Sequence, residues 1–178
     1  MANRSYLYSA DTLPTETANP TQVLCISEHA WDIPLAHKVL VGRNPRVVQS
    51  MIWNPQIGIG ADYAGGAALL LDLLRVVGEG LQEDPDFADR VAVITAHLDK
   101  QRAEYFVLET GEMISLDAED VERSAQDLVA TDIPAAVAHV EAAIAGEDDE
   151  WLASVRASWR KHFDSFYSTT LYFSFPTD

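Results

Sequence analysis

Gly58-Ile59-Gly60-Ala61-Asp62-Tyr63 precedes an apolar, helix-forming run. Glycines in that position invite a phosphate-loop reading, because free backbone N–H groups at a helix start hold phosphate oxygens. The dinucleotide fingerprint would need its third glycine at position 63, which is Tyr, and no Gly-Lys-Ser/Thr follows. Asp62 would also repel a phosphate at the helix start. The segment therefore reads as a tight link in which glycines let the backbone turn or approach a neighbour. Gly58, Gly60, Asp62 and Tyr63 remain the candidate lining of a small-enzyme pocket, with His29 or His97 as titratable partners.

Cys25, His29 and Asp32 could be arranged as nucleophile, base and orienter, but such triads are recognised in space and not along the chain. A lone thiol between Leu24 and Ile26 reads more simply as a small packed hydrophobe. The histidines at 29, 37, 97, 139 and 162 do not pair at metal-ligand spacing, and no Cys-x-x-Cys or His-Glu-x-x-His occurs. His97 and Asp99 would need distant help to bind a metal. No metal or cofactor is expected.

Two acidic clusters stand out. Glu83, Asp84, Asp86 and Asp89 form one, and Glu147, Asp148, Asp149 and Glu150 form the other. Neither has the alternating oxygen ligands, central Gly and distal Glu of a calcium loop. Both sit at expected helix starts, where carboxylates cap N–H groups and complement the dipole. Their second reading is a contact surface for a basic partner. Arg156, Arg160 and Lys161 beside Trp159 are too few to make a nucleic-acid footprint on this chain. Trp151 and Trp159, eight residues apart, read as core or interface anchors.

These residues need elements to hold them. Arg4–Ser9 and Gln22–Glu28 read as strands, the second at an interior sheet position because its centre is continuously apolar. Asp11–Thr21 is a loop. Asp32-Ile33-Pro34 opens a short helix to about Val41, with Asp32 as cap. Arg46–Trp53 reads as a strand and Gln56–Asp62 as a link. A long helical hairpin follows, from Tyr63 to about Val77 and from Asp84-Pro85 to about Gln101. Phe87, Val91, Ile94 and Leu98 make one apolar stripe on its second arm.

Glu104–Glu109 and Glu112–Leu116 flank Thr110-Gly111 as a β-hairpin. Asp117 caps a helix to about Val129, and Asp132-Ile133-Pro134 opens another that Gly146 ends. A final helix follows Glu147–Glu150, and Thr169–Phe175 closes the chain as a strand. The recurrence of Asp-Ile-Pro at 32 and 132 reads as a shared helix-start signal, not a repeat. The fold class is α+β: a single domain over 1–178, with a largely antiparallel sheet packed against a helical layer.

The opening Met-Ala-Asn-Arg-Ser-Tyr-Leu-Tyr resembles the start of a bacterial protein family without an assigned function. The Asp32-Ile33-Pro34 triplet, the Asp62–Gly66 stretch and the Val107–Glu112 segment look like parts of the same pattern. The resemblance implies a bacterial origin and a cytoplasmic location. It brings no activity, cofactor or catalytic residue.

Acidic residues outnumber basic ones by 28 to 12, a net charge of −16 over 178 residues, while 48% of residues are hydrophobic. A chain of this length buries about 70% of the surface it exposes unfolded, so it needs no staple. One cysteine excludes an internal disulfide and fits a reducing compartment. The N-terminus has no signal-peptide core, and the apolar stretch Ala67–Leu74 is too short to span a bilayer. The charge disfavours nucleic acid and anionic membrane as partners.

The first functional reading is a non-enzymatic acidic binding protein, of the antitoxin or immunity type, with a basic protein partner. A small enzyme with a pocket at Gly58–Gly66 is the second. A self-associating accessory protein, a homo-oligomer, is the third.

Overall fold

The computed structural model describes residues 3–115 and 120–163. Five strands form one sheet: β1 Arg4–Ala10, β2 Val23–Ala30, β3 Arg46–Val48, β4 Gly58–Asp62 and β5 Tyr105–Glu109. Their order is β2-β1-β5-β4-β3, and each neighbouring pair is antiparallel. The fold is α+β.

Alternation divides the sheet into two faces. Leu7, Ile59, Ala61, Phe106 and Leu108 point to the helical side, where the main core lies. Tyr6, Tyr8 and Cys25 point to the back, where Val23, Met51, Ile52 and Trp53 pack on them. The register of β1 with β2 shifts between Leu7 and Tyr8, which skips Ile26. This bulge turns Ile26 into the main core, and its carbonyl accepts from His97 Nε2 at 3.0 Å.

The helical layer begins with α1 Leu35–Leu40 and the hairpin α2 Tyr63–Gly78 and α3 Pro85–Lys100. Asp84 caps α3 by accepting from the N–H groups of Asp86 and Phe87. Leu69, Leu70, Leu73 and Leu74 of α2 are buried. Gly66 is what brings α2 this close to α1: a Cβ there would lie 1.8 Å from the Leu40 carbonyl oxygen.

The rest of the layer is α4 Gly111–Ile114, α5 Val121–Asp127, a π-helical turn Leu128–Asp132, α6 Ile133–Ala145, α7 Asp149–Ala157 and α8 Trp159–Phe163. Gly146, at φ +75°, ends α6. Val121–Ala145 is one run of 25 residues, long and apolar enough to cross a bilayer by length and composition. In this fold Leu128, Ile133, Val137, Val140 and Ala143 face the core, and Glu122, Asp127, Asp132 and Glu141 interrupt the outer side. Arg156 of α7 donates to the carbonyls of Val76 and Val77 at 2.6 and 3.2 Å at the end of α2, where the Val77 carbonyl also accepts from the Gly80 N–H.

Several expectations are corrected. Gln56–Asp62 is not a link, since residues 58–62 are a strand between β5 and β3. The strand expected over Arg46–Trp53 stops at Val48, and the chain then leaves the sheet to cover its back. Strand β2 ends the order instead of lying inside it: its apolar centre reflects the bulge, not two flanking strands.

Asp32 does not cap α1. Pro34 holds the cap position, and the Asp32 carboxylate accepts from the N–H of Ile33. Residues 111–114 make a helical turn and not the second arm of a hairpin, because both edges of β5 are taken by β1 and β4. Asp132 lies inside a continuous helix and starts nothing. The final helix breaks at Ser158. Asp117 and Thr169–Phe175 lie outside the described residues; the cap of α5 is Asp120.

Candidate functional site

The glycines of β4 face the back of the sheet, and that space is filled. A Cβ on Gly60 would stand 2.5 Å from Leu13 Cδ2, and one on Gly58 would stand 3.0 Å from the Gln49 carbonyl oxygen. Their missing side chains thus admit two covering segments, residues 11–21 and 49–57. Asp62 sits at the strand end, accepting from Asn44 Nδ2 and facing Arg46 at 3.9 Å.

Tyr63 turns the other way, into the helical core. Its ring stacks on Phe106 at 4.2 Å and its hydroxyl donates to the Leu98 carbonyl at 2.6 Å. Burial pushes its phenol up to about 12. Gly58, Gly60 and Asp62 therefore share the back face by alternation, with Asp62 at its rim beside Arg46, the register partner of Gly60, while Tyr63 alone turns away into the core.

Cys25 is buried on the back face. His29 lies on the opposite side, near enough to His37 to oppose its protonation. The two do not meet. His37 is sealed between Ser5 Oγ, 3.1 Å from Nδ1, and Ser27 Oγ, 2.8 Å from Nε2. Ser5 spends its proton on the Asp32 carbonyl, so Nδ1 donates to Ser5 and Nε2 accepts from Ser27. Burial pulls His37 down to about 3, so it is neutral at pH 7. Among the described residues no three His, Cys, Asp or Glu side chains converge to hold a metal ion.

The acidic clusters divide between internal and open carboxylates. Asp84 caps α3, accepts from Trp159 Nε1 at 3.1 Å and faces Arg160 at 3.9 Å; Asp86 pairs with Arg160 at 2.6 Å. Asp148 caps α7 through the Trp151 N–H and pairs with His139 at 2.8 Å, contacts that hold its carboxyl below the usual range. Glu83, Asp89, Glu147, Asp149 and Glu150 are exposed. The first cluster also borders a cavity of about 640 Å3 that contains Glu83 and Asp84.

A cavity of about 410 Å3 lies where the turn into α1, α4 and the π-helical turn meet. Its apolar lining is Ile33, Met113, Ile114 and Leu128. Asp32, Asp127 and Asp132 bring three carboxylates to it, against the single ammonium of Lys38. Among the described residues no ion pair within 4.0 Å engages any of these three. The π-helical turn builds this wall. It adds a residue to the turn, so Leu128 points inward while Asp127 and Asp132 stand at its two ends. Trp31, just before Asp32, is 66% exposed at φ +70°.

A family model for a domain of unknown function, DUF7822, matches residues 11–150. The chain belongs to that family. The DUF7822 match takes in every strand after β1, the helical hairpin, the covering segments and all residues of the 410 Å3 cavity. No curated protein and no solved structure matches the chain.

Sequence reasoning missed two features of this DUF7822 chain. The 410 Å3 cavity depends on a π turn, whose surplus residue leaves no local signal. Glu109 is fully buried, and its signal was present: it ends an uninterrupted apolar run, Tyr105 to Leu108, of the kind seen in strands covered on both faces.

Proposed function

We propose that the chain is a non-enzymatic binding protein that receives a basic segment of a protein partner, in the manner of an antitoxin or immunity-type protein. The observation that carries this reading is the 410 Å3 cavity with its apolar floor and its carboxylates at 32, 127 and 132. Lysine and arginine side chains pair an aliphatic stem with a cationic head, and such a cavity serves both parts at once. The net charge of −16 adds long-range attraction, with the open carboxylates of the 83–89 and 147–150 clusters contributing to the field. Aspartates held in no ion pair within 4.0 Å among the described residues lose little internal stabilisation when they take a cation from a partner.

The test uses a fluorescent peptide alternating Lys and Arg with Leu, and a Glu-containing counterpart. Only the basic peptide is expected to bind. Affinity should fall steeply as salt rises from about 50 to about 300 mM. The double substitution Asp127→Asn, Asp132→Asn should weaken it by about tenfold, the scale of two partly exposed charge contacts. Glu83→Gln with Asp89→Asn should lower the association rate more than the affinity. Equal binding of both peptides, or indifference to the 127/132 change, would reject this site.

A further inference from the structure

Glu109 is 0% exposed, yet its carboxylate points from the centre of the sheet at a loop. Oε2 accepts from Ser50 Oγ at 2.6 Å and Oε1 from the Met51 N–H at 2.7 Å. Ser50 Oγ in turn accepts from the N–H groups of Ile52 and Trp53 at 3.0 and 2.9 Å. One buried carboxylate therefore organises the start of the 49–57 segment, which lays Met51, Ile52 and Trp53 over Tyr6, Tyr8 and Cys25.

We propose that residues 49–57 form a proton-controlled cover over the back of the sheet, with Glu109 as its latch. Strand β5 cannot yield, because Glu109 is paired in register with Tyr6 on one side and Gly58 on the other. The cover can yield. Gln49 Nε2 donates to the Asn54 carbonyl and the Ser50 N–H to the Pro55 carbonyl, so these bonds travel with it. Gln56 Nε2, donating to Glu16 at 3.0 Å, and the Ile57 carbonyl, accepting from Thr110 Oγ1 at 3.4 Å, hold the far end as the pivot. A cavity of about 320 Å3 already separates its outer side from residues 15–19. Lifting the cover joins that cavity to the aromatic back face.

Charge is what drives the motion. Glu109 is flanked in register by Tyr6 of β1 and the uncharged Gly58 of β4 and held by Ser50 and the Met51 N–H of the cover. It opposes ionisation of the Tyr8 phenol, around which Cys25 and Glu28 of β2 also lie, and Glu112 of α4 stands beyond Tyr6. Arg4 faces Glu28 at 3.8 Å. Burial raises the Glu109 carboxyl to about 7, against the two hydrogen bonds that favour its ionised form. In the lifted state the carboxyl meets water and ionises near its ordinary value of 4.5. Opening therefore becomes easier as pH rises from about 4.5 to about 7 and levels off above.

Hydrogen exchange read residue by residue, corrected for the intrinsic pH dependence of amide exchange, tests this. Protection of the Met51, Ile52 and Trp53 amides should fall by on the order of a hundredfold between pH 4.5 and 7, then stay level to pH 9. The Val107 and Leu108 amides of β5 should not follow. Glu109→Gln should flatten the profile. Ser50→Ala removes a bond that favours the anion, so it should move the plateau to higher pH even if the glutamine variant fails to fold. Flat protection in the wild type, an unchanged fall in Glu109→Gln, or a plateau unmoved in Ser50→Ala would each overturn the proposal.

Discussion

Glu109 and His37 are both sealed inside this fold, one behind the sheet and one before it, and they titrate in opposite senses. The Glu109 carboxyl is raised from 4.5 to about 7 by burial. Its contribution is fully present below pH 4.5 and is lost as pH rises to 7, a swing of about 3 kcal/mol. His37 is depressed from 6.5 to about 3, again by burial. Its contribution is present above pH 6.5 and is lost as pH falls toward 3. Between pH 4.5 and 6.5 the two slopes oppose each other, so the wild type should show a weak dependence of stability on pH there. Glu109→Gln leaves the histidine slope alone. Urea midpoints of the two proteins at pH 5, 6, 7 and 8 should diverge up to pH 7 and then run parallel. A constant difference across the series would mean that Glu109 is not protonated inside the fold.

At the level of elements, Asp84 joins three parts of the layer: the start of α3, Trp159 and Arg160. Asp84→Ala removes the cap and leaves the Trp159 N–H without its acceptor, at a cost of about 2 kcal/mol in chemical denaturation. Asp84→Asn keeps one acceptor oxygen, enough for the cap at Oδ1 but not for the Trp159 N–H at Oδ2 as well, so it should recover about half of the loss; full recovery would show that the Trp159 bond contributes nothing.

This capping role was legible in Asp84-Pro85, as were the apolar stripe of α3, the glycine end of α6 and strand β1. Each rests on contacts within a few residues. What was not legible depends on distant parts of the chain. Gly58 and Gly60 resemble a ligand loop until Leu13 and Gln49 are seen filling the space beside them. Thr110-Gly111 carries a hairpin signal, but β1 and β4 already occupy both edges of the preceding strand. Asp132-Ile133-Pro134 has a helix-start signal that the tertiary fold overrides, since the helix was already running when it arrived. Of the candidate site residues, the acidic clusters were located correctly at helix starts. The cavity carboxylates at 127 and 132 were not singled out, because only the packing of the long helix against α4 gives them a common space.

For the whole molecule, sixteen uncompensated negative charges repel one another across a chain whose described ion pairs are few and mostly surface-exposed. Screening should therefore help folding more than it harms pairing. Raising sodium chloride from about 10 to about 200 mM should lift the melting temperature by several degrees. A flat or falling midpoint would show that the surface pairs outweigh the self-repulsion. The same salt should weaken capture of a basic peptide, so stability and binding are expected to respond in opposite directions.

The π-helical turn also has a consequence for ancestry. It holds one residue more than an α-helix of the same span needs, so losing a single residue there heals the helix without breaking it. Within the family, lineages that differ by one residue between Ala125 and Val137 are then expected to fold alike. Each residue turns the helix by about 100°, so in the shorter lineages Asp127 and Leu128 would be carried away from the floor that Asp132 still faces. A one-residue gap in an otherwise plain helix would mark the descendants that had given up the pocket.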